Sequence, residues 1–271
     1  MGGALIVYRW ELRKLISQKR TYLGLGAAML VPLIFVVALG LQKGQPNDVA
    51  FGRYVRESGL AIPLVLLLFG SIWLFPLIAA LVAGDIIASE YQNSTMKTIL
   101  TRSLDRGQIF AGKAMTAFTY AGAALVTMGA TALAAGTIQS GFNPLVSLSG
   151  TRVAAPKALA LVAASFAVYL LPLLAIVCFG LLLSALTRNS AAAVVGTLMF
   201  ALLMQLIGIL PGLQGVTPYL LTTQFQAWQG FLRVPVDWSP VIRAAWLTAA
   251  YAIPPLFASY LLVLRSDIAG E

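Results

Sequence analysis

The sequence predicts an all-α membrane protein with six transmembrane helices, an amino-terminal interfacial amphipathic helix and a short cytoplasmic helix between two spans. Three observations carry this. Of 271 residues 59% are hydrophobic and only 10% charged, where a soluble domain needs about 25%. The uncharged runs are long enough to cross a hydrocarbon core, which takes about 20 apolar residues. The charged residues fall between those runs, so too few remain to coat a water-facing surface.

Residues 4–20 precede the first span. Leu5, Tyr8, Leu12, Leu15 and Ile16 recur at helical spacing beside Arg9, Arg13 and Arg20. This pattern predicts a helix lying in the headgroup plane, basic side toward phosphates. Arg9, Trp10, Glu11, Arg13 and Lys14 are its candidate contact residues. Spans are expected near 22–41, 60–84, 114–138, 158–186, 190–210 and 244–264, within a single transmembrane domain covering 1–271. The third uncharged run ends in GFNPLVSLSG, a loop signal. The fifth is too long for one helix and breaks at Pro211-Gly212. Segment 211–243 therefore reads as an outer, re-entrant stretch.

Pro32, Pro63, Pro76, Pro172 and the Pro254-Pro255 pair are expected to kink or open their helices. Ala123, Thr127, Thr131 and Ala135 recur every four residues on the third span. Ala193, Thr197, Ala201 and Gln205 do so on the fifth. Small residues let helices approach closely. Packing within the bundle explains both stripes, and a dimer seam or translocation path is the sharper reading of the fifth.

Orientation follows the basic residues. With the amino end inside, cytoplasmic segments hold Arg9, Arg13, Lys14, Lys19, Arg20, Lys97, Arg102, Arg106, Lys113, Arg188 and Arg265. Outer loops hold Lys43, Arg53, Arg56, Arg152, Lys157, Arg233 and Arg243. Eleven against seven, with the bias strongest at the first span, places both ends in the cytoplasm. The amino end MGGALIVYRWELRKLISQKR is too interrupted by charge for a signal peptide. Ile6 stands where myristoylation favours Ser or Thr.

Net charge is +9. Basic residues beside spans fix topology and attract anionic lipid, and no basic-aromatic constellation suggests nucleic acid. Reactive chemistry is scarce. With no His and a lone Cys178, neither a metal cluster nor a His-activated nucleophile is available, so a catalytic role is not expected. No acidic or basic residue falls at the centre of a predicted span, which argues against a proton- or sodium-coupled carrier acting alone. Gly107 to Lys113 matches GxxxxGK, yet Ala114 stands in place of the Ser or Thr that holds magnesium and no strand precedes it. Lys113 instead marks a span boundary. Asn93-Ser94-Thr95 forms a glycosylation sequon on the wrong side of the membrane.

The most informative stretch is 85–113, DIIASEYQNSTMKTILTRSLDRGQIFAGK. Residues 91–101 predict a short helix along the membrane with Met96, Ile99 and Leu100 on one side. A second short turn, Arg106 to Lys113, leads into the third span. This segment resembles the signature of the ABC-2 type permeases, the membrane subunits of a class of ATP-driven exporters. In that family an acidic residue follows the second span, then a Gly-Thr pair, a Leu-rich short helix, Pro-x-x-Arg and Gly-Lys. Glu90, Thr95, Leu100, Arg106 and Gly112-Lys113 match. Ser94 and Ser103 depart, standing where the family usually has Gly and often has Pro.

The resemblance implies an export permease with no cofactor of its own. ATP and magnesium would sit on a separate ABC ATPase subunit. Glu90, Tyr91, Thr95, Lys97, Leu100 and Arg106 would couple to that ATPase, with Glu90 and Lys97 pairing to it and the helix around Arg9 to Lys14 resting on its edge. A second permease chain, the same or related, would complete a dimer in the cell membrane of a bacterium or archaeon. The pathway between the permeases would be lined partly by the first and fifth spans. The alternative keeps the ATPase but uses its motion for assembly or signalling, with no substrate crossing.

Overall fold

A computed structural model describes residues 2–41, 51–92 and 105–265. The predicted residues Lys43, Thr95, Met96, Lys97, Ile99, Leu100 and Arg102 lie outside that set. Eleven regular elements concern the argument: α1 (Gly2–Ile16), α2 (Lys19–Leu41), α3 (Ala61–Gly70), α4 (Leu74–Ala83), α5 (Ala88–Gln92), α6 (Arg106–Ser140), β1 (Leu145–Val146), β2 (Arg152–Val153), α7 (Ala155–Thr187), α8 (Ser190–Ile209) and α9 (Ser239–Arg265). Short 3-10 turns at Gly52–Tyr54, Thr217–Tyr219 and Thr222–Leu232 complete the described chain.

Among the described residues α2, α6, α7, α8 and α9 are each long and apolar enough to cross a membrane. The remaining apolar run is broken. α3 and α4 meet at a 59° bend, with residues 71–73 between them. Pro76 accounts for the position of the break, because its ring excludes the carbonyl four residues earlier, on Ile72, from continuing the helix. The other flagged prolines behave differently. Pro32 in α2, Pro172 in α7 and Pro254-Pro255 in α9 lie inside helices that run on through them.

α7 is the central helix. Tyr169, Leu173, Ile176 and Leu181 are fully covered, and α7 packs against α4, α6, α8, α9 and the 3-10 segment. The peripheral helices α2, α8 and α9 leave large apolar faces exposed, such as Leu23, Ile34, Leu206, Ile209 and Phe257. Burying these helices only on one side is what lipid-facing helices require.

α6 has 35 residues, about 52 Å at 1.5 Å per residue. It extends past the hydrocarbon core and joins the two ends of the bundle. Arg106 to Lys113 is its first two turns, not a separate turn before it. Neither Gly107 nor Gly112 breaks the helix, and no proline intervenes. At its far end α6 crosses the start of α3 so closely that a Cβ on Gly59 would lie 2.3 Å from the Gly136 carbonyl oxygen. The chain then turns at Gly141, which has a positive φ of 76°. The GFNPLVSLSG stretch opens a two-stranded hairpin with Leu145 opposite Val153. Its Leu148 N–H donates to the Leu232 carbonyl at 2.8 Å. That bond fastens the hairpin to the 3-10 segment, whose Trp228 is buried and stacked on Phe51 with ring centroids 6.3 Å apart.

Candidate functional site

The end of the bundle opposite this hairpin holds a cluster of buried charge. α1 lies against the start of α6 and turns Val7, Glu11 and Leu15 inward, one residue per turn. A Cβ on Gly112 would lie 2.6 Å from the Val7 Cβ, so the absence of a side chain there lets α1 settle onto α6. One residue on, Lys113 is 2% exposed. Its ammonium reaches Glu11 Oε1 at 2.7 Å, Glu90 Oε1 at 2.7 Å and the Ile86 carbonyl at 3.2 Å. Three acceptors match the three N–H donors of a lysine. Lys14 of α1 donates to the same Glu90 oxygen at 2.9 Å.

A second pair adjoins the first. Asp85, 5% exposed, meets the Arg20 guanidinium from α2 through Oδ2 and the Ser190 hydroxyl from α8 through Oδ1. Arg20 also donates from Nε and Nη2 to Gln18 Oε1, at 3.0 and 2.7 Å. The backbone between the two acids is held by α7, since the buried Ser184 hydroxyl accepts from the Ile87 and Ala88 N–H groups at 3.2 and 2.9 Å. The segment after α4 is thus fastened to α1, α2, α6, α7 and α8 at once.

Three acids (Glu11, Asp85, Glu90) face three bases (Lys14, Arg20, Lys113), so the cluster is neutral in sum. Burial alone would push the Glu90 carboxyl up, but Lys113 and then Lys14 outweigh it and hold Glu90 below the usual carboxylate range. Lys14 is the converse: burial would lower it, yet Glu90, Glu11 and Asp85 raise it. Both groups therefore keep their charge, as paired buried ions do. A polar-lined cavity of about 10 Å³ lies beside Glu11, Lys14, Arg20 and Ser89, room for about one water. Among the described residues no three His, Cys, Asp or Glu side chains are grouped to hold a metal ion. The cluster's chemistry is ion pairing.

The residues singled out from sequence fall in several places. Glu11 and Glu90 are in the cluster, and Lys14 is at its rim. Glu90 was expected to pair with a soluble subunit, but its side chain is 1% exposed and turned to Lys14 and Lys113. Tyr91 is half-buried, with the Arg188 guanidinium 5.0 Å from its ring centre. Arg106 donates from Nη1 to the Leu264 carbonyl at 2.8 Å, joining the start of α6 to the end of α9. Arg9, Trp10 and Arg13 lie on the exposed side of α1.

The expected apolar face of α1 is not the face that packs on the bundle. Of Leu5, Tyr8, Leu12, Leu15 and Ile16, only Leu15 is buried, while Leu5 and Ile16 are exposed. The inward stripe runs through Glu11 because Lys113 waits beneath it. Ala193, Thr197 and Ala201 are buried within the chain, where Ala193 abuts Gly84 and Thr197 abuts Gly180. Packing inside the bundle accounts for those three, and Gln205 beyond them is half-buried.

Sequence reasoning missed Lys113 as a member, together with Asp85, Arg20, Ser184 and Ser190. A signal for Lys113 was present. It is a lone charge in the run GQIFAGKAMTAF, on a helix whose next turns are wholly uncharged, and such a residue needs a partner.

The family described as "Protein of unknown function (DUF2705)" matches residues 27–267. The chain belongs to that family. The match begins inside α2 and ends just beyond α9, so the DUF2705 region includes Asp85, Glu90 and Lys113 and leaves Glu11, Lys14 and Arg20 before it. The family description assigns no function. No curated protein matches the chain.

Proposed function

We propose that this chain is the permease subunit of an ABC-type exporter, moving a substrate out across the membrane with ATP hydrolysed by a separate ATPase subunit. One observation carries the reading beyond the sequence resemblance. The start of the 85–113 stretch is fastened by Asp85 and Glu90 to α1, α2, α6 and α8. Force delivered to residues 91–101 by a soluble partner would therefore reach four helices together, which is what a coupling segment has to do.

In this reading the bent pair α3–α4 counts as one span and gives six. Both termini are cytoplasmic, the outer segment 211–243 faces the opposite side, and α1 rests at the headgroup level with Arg9, Trp10 and Arg13 outward. A second permease chain and two ATPases complete the unit. Tyr91, Thr95, Lys97, Leu100 and Arg106 remain the proposed contacts for the ATPase. Glu90 takes a different role and braces the start of the 85–113 stretch from within.

Purification of the tagged chain in mild detergent tests the reading, with co-purifying proteins identified and ATPase activity assayed. A stoichiometric ATPase that survives washing, and is lost when residues 91–101 are scrambled in a still-folded chain, is the expected result. A chain that purifies alone and without ATPase activity in every detergent and lipid tried would overturn it.

A further inference from the structure

A second polar feature lies at the hairpin end of the bundle. A cavity of about 150 Å³ is lined by Thr223, Gln226, Gln229, Gly230, Arg233 and Arg243 among others. Its walls are the 3-10 segment Thr222–Leu232 and the first turns of α9. They are held together at Gly230, whose carbonyl accepts the Asp237 N–H at 3.1 Å. A Cβ on Gly230 would lie 2.3 Å from the Asp237 carbonyl oxygen, so the loop closes only because that residue is glycine.

The cavity opens to solvent at Gln226 and Arg233, which are exposed, while Gln229 and Arg243 are half-buried. Among the described residues Arg243 makes no hydrogen bond or ion pair. Arg233 has one loose ion pair, 3.8 Å from Asp237 Oδ2. Asp237 itself is occupied, since its Oδ1 accepts from the Ser239 N–H at 3.0 Å and the Ser239 hydroxyl at 2.7 Å. The side-chain amides of Gln226 and Gln229 make no hydrogen bond among the described residues. Two guanidinium groups against one engaged carboxylate leave one positive charge, to which the amino-terminal end of α9 adds its dipole.

We propose that this cavity binds an oxyanion of the phosphate class, clamped between Arg233 and Arg243 and hydrogen-bonded by the Gln226 and Gln229 amides. Arginine suits such a ligand because its planar fork matches two oxygens of a phosphate at once. Free phosphate and a phospholipid headgroup present the same group, and the cavity's chemistry accepts either. The inference is independent of the exporter reading, since it needs neither an ATPase nor a transported substrate.

The test uses the full-length chain in mild detergent. Tryptophan fluorescence is titrated with inorganic phosphate at constant ionic strength. Native mass spectrometry then counts lipid retained after extraction from vesicles of equal parts phosphatidylcholine and phosphatidylglycerol. A saturable phosphate response weakened about tenfold by Arg243→Gln supports the site with a free oxyanion as ligand. Retention of phosphatidylglycerol that Arg243→Gln abolishes, without a phosphate response, supports it with a lipid headgroup as ligand. Should Arg243→Gln fail to fold, Gln229→Glu replaces it and is expected to cause the same loss by repulsion. Binding of neither probe, or equal binding to the wild-type chain and the variant, overturns the proposal.

Discussion

Lys113 and Glu11 meet at 2.7 Å although 102 residues separate them in the chain. Their contact joins the amino-terminal helix to the first turns of the longest one. Because Glu90 approaches the same ammonium at 2.7 Å, Lys113 is the common partner of two carboxylates.

Removing the common partner is expected to cost most. Lys113→Ala leaves Glu11 and Glu90 facing each other in a buried site, and loss of one partner of a buried pair costs about 3–5 kcal/mol. Glu11→Gln leaves Lys113 still paired with Glu90 and is expected to cost less. Thermal unfolding of the purified variants in one detergent ranks them. Equal losses would show that the two pairs do not share Lys113 energetically.

The pH dependence follows from two directions. Glu90 titrates below its ordinary value of 4.5 when folded, so its contribution is complete above pH 4.5 and is lost as pH falls further. Lys14 titrates above its ordinary 10.5, so its contribution is complete below pH 10.5 and fades above it. Melting temperature is therefore expected to hold a plateau between these values and fall on the acid side. Glu90→Gln should flatten the acid fall; an unchanged acid limb would remove Glu90 from the account.

Gly112→Val should loosen α1 without touching any charge. The added Cβ meets Val7, and over-packing of this kind costs about 1–3 kcal/mol. Limited proteolysis is expected to cut within residues 2–16 faster than in the wild-type chain, with the remainder equally resistant. An unaltered cleavage pattern would mean that α1 accommodates the side chain.

Arg188→Ala is the contrasting case. Its guanidinium stacks over Tyr91 at a half-exposed site, where a cation–π contact is worth about 0.5–1 kcal/mol. Stability should change by less than about 1 kcal/mol. A loss as large as that of Lys113→Ala would mark Arg188 as part of the buried cluster.

Much of the frame was legible because apolar runs have an unambiguous length. α2 and α8 lie within three residues of the spans expected at 22–41 and 190–210. The bend between α3 and α4 was half legible: Pro76 was flagged, but so were Pro172 and Pro254-Pro255, which lie inside helices that run on through them. Which stripe of α1 packs on the bundle was not legible, because the partner helix decides it: Val7, Glu11 and Leu15 turn inward. The charge cluster was hidden for a related reason. Asp85, Glu90 and Lys113 each look like an ordinary span-end residue and Glu11 like a surface residue of the interfacial helix, and their convergence depends on how the helices are rotated against one another.

The length of α6 has a mechanical meaning. Lys113 sits near one end and Gly136 near the other, 23 positions apart and so about 35 Å along the axis. An uninterrupted helix of that length behaves as a lever. Were it to pivot by about 5° at the ion pairs, the Gly59 crossing would sweep through roughly 3 Å, about the width of a water molecule. A tilt of α6 at one surface of the bundle would thus be felt, enlarged, at the close Gly59–Gly136 crossing at the other.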